Sequence, residues 1–280
     1  MVEIFRDRKL KKRIWATLVL LLPALVQAFP LVYLLCVSWK EGSEVIQYPP
    51  KFFPKGLNWI NYHEALSAAP LVRFLINSAV VASSITLLQL FTSVLAAYAL
   101  SRLEFRGQKW VMGLIVGTMM IPGEVTIIPN YYTLAAWNGL NTFSALIVPF
   151  SASGFGIFFL YQFFKTIPKE LEEAAYLEGC SRLRFLFQFM IPLSFPAITA
   201  FGIYAFVGAW NQYLWPLIIT QTTEMQTAQI GIGMFRSQNE SMSWGVIMAA
   251  TAMLISPTVL LFIATQKQFV KGITMSGIKG

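Results

Sequence analysis

Histidine and cysteine are nearly missing from this chain of 280 residues: His63 is the only imidazole, and Cys36 and Cys180 are the only thiols. One histidine cannot assemble a His-based metal site or a His-dependent catalytic triad. Cys36 falls in an apolar run and Cys180 in a polar loop, a separation that excludes a disulfide between them. Charge is scarce as well, with Asp, Glu, Lys and Arg at 12% of residues. The sequence contains no P-loop and no GxGxxG followed by an acidic residue at nucleotide-binding spacing. Any work driven by ATP therefore needs a second chain to hydrolyse it. Low-complexity segments and a clear internal repeat are lacking too. The longest polar stretch, residues 40–72, falls short of the roughly 50 residues at which independent domains begin.

What is present is apolar. Hydrophobic residues make up 56% of the chain and the mean hydropathy is +0.60, too apolar for a water-soluble domain of this length. A helix needs about 20 apolar residues to span a hydrocarbon core. Six runs qualify: residues 14–39, 73–100, 110–133, 143–164, 191–220 and 244–266. They predict an all-α polytopic membrane protein with six transmembrane helices. Continuous runs of this length exclude the short alternating strands of a β-barrel.

Basic residues give the orientation. Arg6, Arg8, Lys9, Lys11, Lys12 and Arg13 precede the first run, which is too long for a secretory signal and has no small-residue cleavage site after it. Arg102, Arg106 and Lys109 follow the second run, Lys165, Lys169, Arg182 and Arg184 the fourth, and Lys267, Lys271 and Lys279 the sixth. The positive-inside rule then puts both termini in the cytoplasm of a multi-pass cytoplasmic (inner) membrane protein. The domain layout is a basic N-terminus (1–13), a six-helix transmembrane domain (14–266) with a cytoplasmic loop at 165–190, and a cytoplasmic tail (267–280). Lys40, Lys51 and Lys55 run against the bias in 40–72, although Phe52, Trp59 and Tyr62 suit an interfacial extracytoplasmic loop. The net charge of +8 follows from the same bias and implies no nucleic-acid partner.

Residues 165–190 form the most charged interruption between spans. Pro168 suits the first turn of a helix, and Glu170, Glu172 and Glu173 complement the positive end of its dipole. Leu171, Ala174 and Ala175, at i, i+3 and i+4, make a narrow stripe of small apolar residues. Gly179 is a natural stop, and Ser181 can cap a second helix running into the fifth span. The alanines would let the backbone approach closely inside a groove on a partner. On helix physics alone, an amphipathic linker lying on the membrane surface fits equally well.

The pattern Glu173-Ala174-Ala175, Gly179 and Ile191-Pro192 resembles the EAA loop of binding-protein-dependent ABC importer permeases, whose signature is EAA, three residues, Gly, nine residues and an Ile-x-Leu-Pro end. Phe189 and Ile191 stand here at the usual Ile and Leu positions. The run Trp210-Asn211-Gln212-Tyr213-Leu214-Trp215-Pro216-Leu217 and the tail from Gln266 through Gly272 to Gly280 are similar to carbohydrate permeases of the maltose-transporter type. The resemblance covers nearly the whole chain. It implies a six-helix type I importer permease that pairs with a second, homologous permease, docks on two cytoplasmic ATPase subunits and receives solute from an external binding protein. In that picture the EAA segment is the coupling helix: Glu172, Glu173, Ala174, Ala175, Gly179 and Pro192 belong to the ATPase-coupling site, and the tail reaches toward the ATPase dimer interface. ATP and magnesium would be bound by the partner subunits, so the chain itself would carry no cofactor and no catalytic residue.

Polar residues within apolar spans are costly and tend to face a cavity or a partner helix. Glu124 follows Pro122-Gly123 near the outer end of the third run and precedes Pro129-Asn130, so a broken helix is expected there. Glu124, Asn130, Trp210, Asn211 and Gln212 are the candidate solute path, supplying the hydroxyl partners and aromatic faces that a carbohydrate needs. Tyr213 and Trp215 read better as an interfacial aromatic belt. Asn77, Ser78, Ser83, Ser84 and Thr86 suit helix packing, and Met119, Met120, Met248 and Met253 suit the filling of packing gaps. An ion-coupled secondary transporter would carry several intramembrane charges, whereas Glu124 is nearly alone. A membrane-embedded enzyme would need clustered acids or a nucleophile–base pair. The expected solute is a neutral sugar or oligosaccharide, with glycerol-3-phosphate or another sugar phosphate or polyol as the alternative.

Overall fold

The computed structural model describes the backbone of residues 2–237 and 244–275, and the side chains of residues 15, 17–235 and 244–266. The end of the tail, Gly277 to Gly280, lies outside the described residues, as do the side chains of the N-terminal basic cluster and of Lys267 and Lys271.

Helices α1 (Val2–Ser38), α2 (Gly42–Val45), α3 (Ile60–Ala68) and α4 (Leu71–Arg102) open the chain. Next come α5 (Gln108–Met119), a 3-10 turn at Gly123–Thr126, α6 (Ile127–Ala136), α7 (Phe143–Ile147), α8 (Gly154–Lys165) and α9 (Lys169–Leu177). The rest comprises α10 (Arg182–Phe185), a π-turn (Leu186–Met190), α11 (Ile191–Leu193), α12 (Phe195–Trp210), α13 (Leu214–Ile219), α14 (Ala228–Ser237) and α15 (Trp244–Met275). No strand occurs among the described residues.

Three segments are unbroken helix, apolar and long enough to cross a bilayer: Thr17–Ser38, Leu71–Arg102 and Trp244–Gln266. The other three expected spans are bent pairs. Gln108–Met119 and Gly123–Ala136 meet at 90°, Phe143–Phe150 and Gly154–Lys165 at 43°, and Arg182–Leu193 and Phe195–Trp210 at 78°. The first break falls at Pro122-Gly123, as the sequence predicts. The second, at 151–153, follows Pro149 and ends where the Ser153 hydroxyl caps α8 by accepting from Gly156 N–H. The third corrects the expected run 191–220. The helix starts earlier, turns at Ser194 ahead of Pro196, and stops at Trp210, so the Asn211–Tyr213 segment is a corner rather than the interior of a span.

Backbone contacts divide the chain into two compact units, residues 1–71 with 234–254 and residues 72–233 with 255–280. In the first, the carboxamide of Asn61 on α3 donates to the carbonyls of Ser38 (2.9 Å) and Lys40 (2.8 Å), and Tyr62 shares a 2.8 Å hydrogen bond with Ser38. Gly245 of α15 lies against Asn61 so closely that a Cβ there would sit 2.6 Å from Nδ2. Phe52 meets Phe29 and Tyr33 of α1 at tilted angles and Phe53 edge-on, so residues 40–72 are ordered by polar anchoring and aromatic packing.

The second unit carries a hydrophobic core in which Val94, Ala97 and Tyr98 of α4 meet Leu160 and Phe164 of α8, Phe185, Leu186 and Met190 around the π-turn, and Ala197, Phe201 and Ala205 of α12. Gly156 lets α8 approach: a Cβ there would lie 2.1 Å from Cζ of Phe201 and 2.6 Å from the Ser93 hydroxyl. Small residues at such crossings permit the close backbone contact that drives helix association in lipid.

Candidate functional site

The polar interruption folds as expected into a short helix, α9, and its sequence explains both ends. Pro168 is the N-cap rather than a first-turn residue, with an extended backbone (φ −57, ψ 140). At the other end Gly179 takes φ +80. Its N–H donates to Tyr176 O and that of Cys180 to Ala175 O, both at 3.0 Å, which is the paired closure that satisfies a helix's last carbonyls around a left-handed residue. Ser181 then caps α10, accepting from Arg184 N–H.

The faces of α9 differ from the expected stripe. Glu172 and Ala175 are buried, whereas Leu171, Glu173, Ala174 and Leu177 are exposed. Ala175 is the part of the stripe that enters the core, beside Ile167 and Phe185. Helical phase is fixed by Glu172, which is captured from the end of α4. Arg102, its side chain 2% exposed, places Nη1 3.3 Å from Glu172 Oε2, and its Nη2 donates at 2.7 Å to the carbonyls of both Phe164 and Ile167. Tyr176 donates its hydroxyl to Glu172 Oε1 at 2.8 Å. Burial, reinforced by Tyr98 and Glu172, raises the pKa of the Tyr176 hydroxyl well above its ordinary value and keeps it a donor. Tyr98, one turn before Arg102, donates to Arg182 O at 3.0 Å. The last two turns of α4 thus hold the end of α8, the inner face of α9 and the start of α10. Nothing in the local sequence marks Arg102 for this work, since its partner is 70 positions away.

At the end of the π-turn stands Ile191-Pro192. Pro192 has no N–H to give the carbonyl four residues back, and the helix widens into π geometry just before it.

The candidate path residues fall on separate elements. Glu124 is exposed in the 3-10 turn at the 90° break, and Asn130 is half-buried on α6. Trp210, the last residue of α12, is buried and stacks on Phe206, while its indole N–H has no partner. Asn211 is exposed and accepts from Gln229 Nε2 at 3.2 Å. Gln212 is half-buried with Oε1 unpaired. No hydrogen bond or ion pair among the described residues joins Glu124 or Asn130 to this corner.

Several neighbours differ from expectation. Trp215 is 4% exposed and donates to Ala145 O at 3.0 Å, so it packs inside rather than joining an aromatic belt, because α13 lies on α7. Tyr213 is exposed. Asn77 and Ser78 hold the entry to α14: the Asn77 carboxamide donates to the carbonyls of Glu224 and Gln226 in the preceding segment, and Ser78 Oγ accepts from the N–H of Ala228, the first residue of α14, all at 2.8 Å. Met120 is largely exposed, whereas Met119, though exposed in part, lies against Gly154 of α8, where a Cβ would sit 3.1 Å from its Cγ. Asn141, which the sequence reading missed, holds the 219–222 turn through a left-handed backbone (φ 57), its Oδ1 accepting from Gln221 and Thr222.

Residues 89–274 match the model of the family described as binding-protein-dependent transport system inner membrane component. The chain belongs to this family. It is 35% identical to the sulfoquinovosyl glycerol transport system permease protein SmoH of Agrobacterium fabrum (strain C58 / ATCC 33970), over 90% of this chain and 89% of that one. It is 33% identical to the sn-glycerol-3-phosphate transport system permease protein UgpE of Yersinia enterocolitica serotype O:8 / biotype 1B, over 94% and 96% of the two chains. Among solved structures, a bacterial ABC transporter involved in the import of the acidic polysaccharide alginate superposes with a TM-score of 0.80 at 22% identity, covering 91% of this chain and 95% of that one. The fold is therefore that of a type I ABC importer permease with six transmembrane helices, and the protein is a membrane-embedded permease of an ABC importer. Membership in the family implies assembly with ATPase and binding-protein partners.

Proposed function

We propose that this chain is one of two homologous permease subunits of an importer for a sugar or oligosaccharide, working with two cytoplasmic ATPases and an extracytoplasmic binding protein. Both termini face the cytoplasm. ATP and magnesium reside on the ATPases, and this chain is the non-catalytic half of the machine, with no cofactor of its own. The observation that carries the reading is the two-sided build of α9. Its inner face is bonded through Glu172 to Arg102 of α4, which also holds the end of α8, and its outer face offers Glu173, Ala174 and Leu177 to a partner. Closure of the ATPases on ATP displaces α9, and Arg102 passes the displacement to the ends of α4 and α8 as a rigid-body motion that alternates access. Gly179 sets the angle of α9, and Pro192 shapes the π-turn by which α10 enters the fifth span.

The solute passes the break at Glu124 and Asn130 and the corner of Trp210, Asn211 and Gln212. A second reading, glycerol-3-phosphate or a related polyol ester, is favoured by the relatives' names, two of which contain a glycerol conjugate. Reconstituted uptake of a labelled oligosaccharide and of labelled glycerol-3-phosphate, with the cognate binding protein, separates the two. Glu173→Lys should leave membrane insertion intact while uptake and recovery of the ATPase in a mild-detergent pull-down both fall. Full uptake by that variant would remove the coupling role from α9.

A further inference from the structure

Beside the Arg102 contact, where the end of α4, the start of α5 and the end of α8 converge, lies a cavity of 440 Å³. We propose that it binds the phosphate group of an anionic membrane phospholipid. Lys109, Lys165 and Lys169 line it together with Arg102, against one carboxylate, Glu104. Among the described residues none of the three lysines is within ion-pair distance of a carboxylate, and the Lys165 ammonium rests over the Tyr161 ring at 5.3 Å. Arg102 adds a second observation. Its Nε is buried and has no hydrogen-bond partner, although both terminal nitrogens of the same guanidinium are bonded, Nη1 to Glu172 and Nη2 to two carbonyls. A donor left over on a side chain 2% exposed, at the wall of a cation-lined cavity, calls for an acceptor that this chain does not supply.

The remaining walls indicate which anion. Leu100, Met112 and Tyr161 make part of the lining apolar. Next to Lys109, α5 presents Trp110 at 81% and Leu114 at 72% exposure, the outward face of a segment that reads as half of a span. A phosphodiester in the cavity could therefore continue into acyl chains along α5, and Trp110 sits where an indole marks the headgroup level. Basic pockets between transmembrane helices on the cytoplasmic side suit anionic headgroups. The site's assignment to the cytoplasmic leaflet rests on the orientation proposed above. Because Lys169 is the first residue of α9, a lipid held here would also touch the coupling helix, making transport sensitive to the anionic lipid content of the bilayer.

The test uses the purified complex, delipidated in detergent and titrated with dioctanoyl phosphatidylglycerol, dioctanoyl phosphatidylcholine or inorganic phosphate, with adducts counted by native mass spectrometry. Phosphatidylglycerol should bind in preference to phosphatidylcholine. Lys109→Gln, Lys165→Gln and Lys169→Gln should each weaken it about fivefold, as expected for one basic residue at a membrane surface. Arg106→Gln, on the same loop but outside the cavity, should leave binding unchanged. Equal binding of the two lipids, an equal loss in Arg106→Gln, or displacement of phosphatidylglycerol by equimolar inorganic phosphate would each overturn the proposal. The readout does not depend on the ATPase: a chain that purified alone would count against the proposed coupling role of α9 and still answer the lipid question.

Discussion

Around α9 both oxygens of the buried Glu172 are engaged, whereas at the corner that follows α12 two buried polar atoms, Trp210 Nε1 and Gln212 Oε1, have no partner. Under the proposed roles, the difference separates a part that must hold its shape from one that must exchange partners. A charge pair fixed to two backbone carbonyls carries a displacement without flexing. Unpaired polar atoms cost roughly 1–3 kcal/mol each until something satisfies them, and a passing solute or a neighbouring helix is able to do so. The comparison can be broken from either side.

Arg102→Ala should have the largest effect. It strands Glu172 and the carbonyls of Phe164 and Ile167, a loss of about 3–5 kcal/mol for a buried pair deprived of one partner. Thermal melting of the purified complex should drop and uptake should vanish, with Arg102→Lys recovering part of both. Retention of full stability in Arg102→Ala would mean that α9 is held by the Ala175 contact alone. Gly179→Val comes next, at roughly 1–2 kcal/mol for a β-branched residue forced to a positive φ. Uptake should fall while the amount of inserted protein stays constant, and normal uptake would show that the angle of α9 is not fixed by this turn. At the other region, Gln212→Leu should leave melting unchanged or raise it by up to about 1 kcal/mol, since no bond is lost, and yet reduce uptake. Unaltered uptake there and in Glu124→Ala would remove both residues from the solute path. Ser93→Ala is the smallest change expected. Its hydroxyl is buried and unpaired, so removal should be neutral or slightly stabilising, and a clear drop in melting temperature would reveal a partner for it.

Local chemistry was legible in the sequence. Long apolar runs predicted the helices, Pro122-Gly123 the sharpest break, Gly179 the left-handed stop and Ser181 the cap, because each depends on the residue itself and its nearest neighbours. What could not be read depends on partners distant in the chain. Glu172 and Glu173 are chemically alike, and only Arg102, delivered by another helix, decides which of them turns inward. Trp215 looked like a belt residue until α7 covered it. The bend at Ser194 and the early end of the fifth helix lie within continuous apolar sequence, where hydropathy stays high although the path of the backbone changes. The candidate path was the least legible part, since its residues fall on separate elements and no bond within the described residues draws Glu124 to Gln212.

The π-turn at Leu186–Met190 can also be read as a matter of rotational phase. A π-turn is an α-helix carrying one extra residue, and each residue of an α-helix advances its neighbours by about 100°. Deleting a single residue from this turn would restore regular helix and swing Arg182, Ser181 and the Gly179 turn by that angle relative to α12. Tyr98 could then no longer reach Arg182 O, and the outer face of α9 would point elsewhere while every apolar residue of the span stayed in lipid. If α9 is the coupling helix proposed above, the azimuth at which an ATPase meets this subunit is encoded partly in one surplus residue of a helix that the ATPase itself need not touch.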